Sequence, residues 1–249
     1  MIWANCNGVK NIAPLRGTLY RIVESQEQVA TLGYVDTLEE QAILEDMLEN
    51  VKPPYPANSA GFHYLLKTPF RYPPLPWGSR FGRRHEPSLF YGGTSVQTTL
   101  AEAAYYRFVF WRSIDAPAIK NTLRSEHTLF DVGYQTQKGV TLQNPPFDQY
   151  LADLTHPTRY DACQTIGSDM RQAGVEAFEY PSARDPRKGF CVGLFSLKAF
   201  AHKQPRHNHA WLCELDGQQA SFKQAGEQIL HTFKLDDFLI DAVFPMPAN

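Results

Sequence analysis

The apolar residues of this chain change period repeatedly, from two to about 3.6 and back, without settling into a regular strand–helix–strand succession. That irregularity points away from a doubly wound parallel sheet and toward an α+β architecture. TLYRIVES (18–25) mixes β-branched and apolar residues and predicts a first strand. Asp36 with Glu39 three positions later resembles a capping box. Ile43, Leu44, Met47, Leu48 and Val51 recur behind it at helical spacing. The prolines of KPPYP stop that helix, because proline lacks a backbone donor and restricts its neighbour. SLFYGG (88–93) predicts a short strand ending on paired glycines, with Thr94 or Ser95 able to cap the next helix. From Val96 to Trp111, Leu100, Ala104, Phe108 and Trp111 line one helical face. HTLFDVGY (127–134) predicts a strand. RYDACQTIGSDMRQAG (159–174) predicts a helix with Ile166 and Met170 inward and Gly174 as its stop. VEAFEY, GFCVGLFS, WLCELDGQQASFK and QILHTFKL predict further strands, with Asp216-Gly217 as a hairpin turn.

Residues 61–79, GFHYLLKTPFRYPPLPWGS, carry too many aromatics for a flexible linker. They predict an ordered, extended connection anchored by Phe62, Tyr64, Phe70, Tyr72 and Trp77. The expected organisation is a strand-and-helix extension, 1–60, packed on a main unit, 61–249. Composition excludes several classes of function. With 43% apolar residues and a net charge of −2, the chain has a core's worth of hydrophobic groups and no polybasic block for tracking nucleic acid. Its apolar runs fall short of the roughly 20 residues of a membrane span, and no secretory signal is visible. The expectation is a soluble cytoplasmic protein. Cys6, Cys163, Cys191 and Cys213 are scattered, which fits reduced, buried thiols.

Three residues within WGSRFGRRHEPSLFYGGTSVQTTLAEAAYYRFVFWR (77–112) carry potential chemistry. Glu102 stands among small and aromatic neighbours. It is either an ordinary surface carboxylate or a group able to hold sugar hydroxyls and stabilise developing positive charge. Arg80 follows Gly78 and Ser79, where low bulk admits a ligand; its fork suits phosphate or carboxylate, the plain alternative being a surface ion pair. Arg83 and Arg84 enlarge the cationic cluster. Tyr91 is either a core aromatic or a stacking surface for a flat heterocycle. Ser182, in PSARDP (181–186), lacks a G-x-S-x-G frame, so it is a turn cap or a hydrogen-bonding group rather than a nucleophile. His202, His207, His209 and Cys213 lack the spacing of a zinc site, which favours a solvated loop and no metal.

GSRF, FYGGTSVQTTLAE and PSAR, in that order, resemble the RES-domain family, whose arginine, glutamate and serine would fall on Arg80, Glu102 and Ser182. The family's aromatic, eleven residues before its glutamate, matches Tyr91. The resemblance implies a single compact domain similar to the ADP-ribosyltransferase core, of mixed, mainly antiparallel sheet with flanking helices. It implies NAD as substrate, bound in part through Arg80 and Tyr91. Family members are typically toxins that destroy NAD by phosphorolysis or hydrolysis, with inorganic phosphate or water as acceptor and an Xre-type antitoxin as partner. The alternatives are an ADP-ribosyltransferase acting on a protein target and a catalytically weak nucleotide- or partner-binding module. The chain departs from shorter members in one respect: they carry an asparagine in the strand after the serine motif, where this chain reads GFCVGLF.

Overall fold

The computed structural model describes residues 1–25, 34–115 and 121–247. Along the chain run α1 (Ile2–Asn5), β1 (Ala13–Glu24), α2 (Leu38–Asn50), α3 (Tyr64–Lys67), β2 (Phe90–Gly93), α4 (Val96–Arg112) and β3 (Leu123–Thr141). After them come α5 (Leu151–Leu154), α6 (Asp161–Gln172), β4 (Ala177–Pro181), β5 (Phe190–Leu194), β6 (His207–Leu215), β7 (Gln219–Gln224) and β8 (Leu230–Lys234). The class is α+β.

The eight strands described form one sheet in the order β1-β2-β5-β4-β3-β6-β7-β8, and β1 also pairs with β3. β1, β2, β5, β4 and β3 therefore close into a ring, from which β6, β7 and β8 extend. All pairings are antiparallel except β3–β4. β3 makes the double role possible by its length: His127–Asp131 pairs with β1 on one side and β6 on the other. The ring closes narrowly, since β1 and β2 share the single register pair Tyr20↔Gly93. Only glycine suits that approach: a Cβ on Gly92 would lie 2.7 Å from the Tyr20 carbonyl oxygen.

Apolar side chains fill three regions. Leu19, Phe90, Phe130, Val132, Val192 and Leu194 pack within the ring, joined by Leu65 and Leu66 of α3. Leu100, Ala104, Tyr105 and Phe108 of α4 press on Leu129, Phe222 and Phe233 of the extended sheet. Ile166 and Met170 of α6 meet Phe81 and Phe178 on the other side. Each large side chain buried in this way contributes about 1.5–3 kcal/mol relative to exposure.

Several expectations need correction. The capping box of α2 lies one residue later, with Thr37 as cap and Glu40 as its reciprocal partner. The apolar stripe of α2 does not face the core: Ile43, Met47 and Val51 are 57%, 61% and 80% exposed. Arg71 ties the helix end down by an ion pair to Glu49 at 2.6 Å. In 61–79 the chain forms α3 and a 3-10 turn, and the adjacent Leu65 and Leu66 supply burial while Tyr64, Tyr72 and Trp77 stay substantially exposed. His207 and His209 lie in β6 rather than in a solvated loop. The β6–β7 turn relies on Asp216, whose Oδ1 accepts from Gln218 N and Gln219 N, both at 2.7 Å. All four cysteines are buried and unpaired. Among the described residues, no helix is long and apolar enough to cross a membrane.

Candidate active site

A cavity of about 310 Å³ opens where the ring closes, bordered by Arg80, Tyr91, Glu102, Tyr180 and Cys191. Several separate segments deliver its polar groups. Gly78, with φ of +78°, starts a tight loop in which Ser79 bridges to Gly82 and Phe81 is wholly buried as an anchor. Gln164 of α6 braces it, its Nε2 donating to Ser79 O at 3.1 Å. Arg80 thus sits between two fixed residues.

The Tyr91 hydroxyl binds both of them. It lies 2.9 Å from Ser79 Oγ and accepts from Phe81 N at 3.1 Å. Burial pushes its pKa up to about 12, so it keeps its proton at neutral pH. Its ring meets Tyr180 edge-on at 6.3 Å between centroids. The Arg80 guanidinium lies over Tyr160, 4.6 Å from the ring centroid, and Nη1 donates to His156 O at 2.9 Å. Nη2 is buried without a partner among the described residues. Burial alone would lower the Arg80 pKa, but Cys163, Tyr160, Glu102 and Tyr180 outweigh it and raise it.

Ser95 caps α4 by accepting from Thr98 N at 3.1 Å, which is worth about 1 kcal/mol, and the helix carries half-buried Glu102 to the cavity wall. Behind the carboxylate stands Ser182, whose Oγ donates to Glu102 Oε1 at 2.5 Å. Ser182 Oγ in turn accepts from Arg184 N at 3.0 Å and Asp185 N at 2.9 Å. The Ser182 proton is thereby committed to Glu102. From β5, Cys191 Sγ approaches Glu102 Oε1 at 3.6 Å. Burial, then Glu102, raises the Cys191 pKa well above its ordinary value, which makes it an inert thiol.

Arg83 and Arg84 do not border this cavity; Arg83 Nη2 donates to Thr165 Oγ1 at 3.1 Å and Arg84 is exposed. Two other arginines do: Arg21, which lies in no motif, and Arg184, which ends the PSAR motif (181–184) beside Ser182. Arg21 of β1 lies 4.7 Å over the Phe90 ring, donates from Nη1 to Tyr91 O at 2.8 Å and leaves Nε buried and unpartnered. Burial lowers its pKa to about 10, which still leaves it charged at neutral pH. Arg184 lies 3.6 Å over Tyr105 and donates to Pro157 O at 2.6 Å. No carboxylate forms an ion pair with Arg21, Arg80 or Arg184 among the described residues. Three guanidinium groups therefore face one carboxylate.

A family model described as RES domain matches residues 53–216. The chain belongs to the RES-domain family. No curated protein matches it. The RES family is NAD-related and associated with toxin–antitoxin pairs, which suits a cleft with excess positive charge. Arg80, Tyr91, Glu102 and Ser182 all fall within the matched span, while Arg21 lies before it. Among the described residues, no three His, Cys, Asp or Glu side chains are grouped to hold a metal ion.

Proposed function

We propose that this RES domain binds NAD in the cavity and breaks its nicotinamide–ribose bond, passing ADP-ribose to phosphate or water. The observation that carries the reading is the charge pattern: three arginines without carboxylate partners around one serine-held carboxylate. A dinucleotide presents the complement: two phosphate charges, joined to a ribose that becomes cationic as its bond to nicotinamide breaks.

As the bond breaks, its electron pair goes to the nicotinamide nitrogen, so the leaving group departs neutral and needs no general acid. The positive charge passes to the ribose. Glu102 lies against it, and a fixed carboxylate in a cavity partly shielded from water stabilises such a charge far better than solvent does. Ser182 acts through Glu102 as a positioning residue, because its proton goes to the carboxylate. Arg80 binds the diphosphate or the incoming phosphate, and Arg21 and Arg184 share that load. Tyr91 holds the Arg80 loop and offers a ring edge to the nicotinamide–ribose end. An attacking phosphate dianion forms the new C–O bond without losing a proton; an attacking water releases one.

The N-terminal strand belongs functionally to the same unit, because it brings Arg21. An Xre-type antitoxin that covers the cavity accords with the family.

Incubating the purified chain with NAD, with and without inorganic phosphate, tests the reading. Nicotinamide with ADP-ribose-1″-phosphate supports phosphorolysis, and nicotinamide with ADP-ribose supports hydrolysis. ADP-ribose bound covalently to protein would favour transfer to a protein target. NAD binding without turnover would overturn the reading in favour of a binding module.

A further inference from the structure

A second cavity, of about 510 Å³, adjoins the first, and Tyr20 borders both. It lies where α4 begins, with Val96 at its edge, beside β3, β6 and β8. Asp131, Arg206, His207, His209 and His231 supply its ionisable groups. Asp131 is the one acid among the described residues lining it, and it is already engaged, 2.9 Å from His207 Nδ1 and 3.7 Å from Arg206 Nε. Arg206 Nη2 donates to Thr18 Oγ1 at 2.8 Å, which holds its guanidinium at the rim.

The remaining donors are uncommitted. The rings of His209 and His231 have no hydrogen-bond partner among the described residues, and His231 leans on the Trp211 ring at 5.6 Å between centroids. Trp211 is 4% exposed, lines this cavity, and its buried Nε1–H has no partner among the described residues. A buried donor left unmade costs about 1–3 kcal/mol, so it marks a place where an acceptor belongs. Arginine and tryptophan can only donate, which disfavours a metal and favours an anion. The positive end of the 17-residue α4 adds to the same preference.

We propose that this cavity binds a phosphate group, carried by inorganic phosphate or by a nucleotide 5′-phosphate. Its volume leaves room for more than the phosphate itself. The site is separate from the NAD reading, since none of Arg80, Glu102 or Arg184 borders it.

Histidine-labelled protein, titrated at fixed pH and ionic strength with inorganic phosphate, AMP or adenosine, tests the assignment by NMR. Saturable shifts of the His207, His209 and His231 resonances are expected with phosphate and with AMP, and none with adenosine. Tighter binding of AMP than of phosphate identifies a nucleotide source; equal binding identifies free phosphate. The His209→Gln/His231→Gln variant should weaken binding about tenfold or more, and Arg80→Gln, which alters only the first cavity, should leave it unchanged. Absence of saturable shifts in the wild-type protein overturns the proposal, as does equal affinity in the double variant. So does loss of the response in Arg80→Gln, which would assign it to the first cavity.

Discussion

Ser182 Oγ donates to Glu102 Oε1 at 2.5 Å, joining a loop beyond β4 to the second turn of α4. The bond orients one carboxylate oxygen and leaves the other to the cavity. Replacing Ser182 with alanine frees the carboxylate and also strips two buried N–H groups of their acceptor, a cost of about 1–3 kcal/mol. The expected result is a lower melting temperature and a kcat reduced about tenfold or more, with KM for NAD changed less. An equal loss in both constants would place Ser182 in substrate contact instead.

Glu102→Gln retains the shape and an acceptor for Ser182 but removes the charge. Turnover of NAD should fall by about two powers of ten, with NAD affinity retained. Undiminished turnover in a folded variant would remove Glu102 from the chemistry.

Arg21 holds a charge with no carboxylate near it, so it costs stability in the empty protein. Arg21→Met, similar in length and able to cover Phe90, removes that cost together with the bond to Tyr91 O, so its melting temperature should stay close to that of wild type. It should bind NAD about tenfold more weakly, measured as a smaller rise of melting temperature on adding NAD. Arg80→Lys should lower turnover as well, because a point charge cannot reproduce the fork.

Tyr91→Phe removes the hydroxyl that secures Ser79 and Phe81 on either side of Arg80. A loss of about 1 kcal/mol in stability is expected, with kcat/KM lowered several-fold while the ring still fills its place. Tyr91→Leu, lacking both ring and hydroxyl, should lose more.

His127 is buried, with Nε2 2.8 Å from Ser125 Oγ. Burial, with Arg107 assisting, lowers its pKa to about 4. The unfolded chain binds this proton near pH 6.5 and the folded one does not. Stability from neutral His127 is therefore complete above that value and declines as pH falls toward 4, by about 3 kcal/mol at most. Urea unfolding of wild type and His127→Gln at pH 7 and pH 4.5 checks this: the stability gap between them should narrow in acid.

The elements legible in the sequence were those whose cause is local. α4 and α6 follow from apolar residues at helical spacing with a serine before one and a glycine after the other. β3, β4 and β5 follow from β-branched and aromatic runs. The apolar period of α2 predicted the helix but not its exposure, because helical spacing of Ile43, Met47 and Val51 says nothing about what lies opposite. In 61–79, ring count drew attention from Leu65 and Leu66, whose burial depends on the ring of strands they close. Arg80, Tyr91, Glu102 and Ser182 were visible as motif residues, and their mutual bonds were not. Arg21 was invisible in TLYRIVES, since a strand pattern gives no reason to single out one charge. Its place beside Tyr91 arises only when β1 returns to meet β2.

That meeting is also the barrel's thinnest joint. One register pair, Tyr20↔Gly93, holds it, and beyond it a side chain does the backbone's work as Arg21 Nη1 donates to Tyr91 O at 2.8 Å. Under the proposed function, a guanidinium that doubles as a clasp would tie substrate capture to the integrity of the seam: an anion drawing Arg21 inward would loosen the suture, and fraying of the suture would displace the anion's anchor. On that reading, opening of the seam and release of the bound anion are one event.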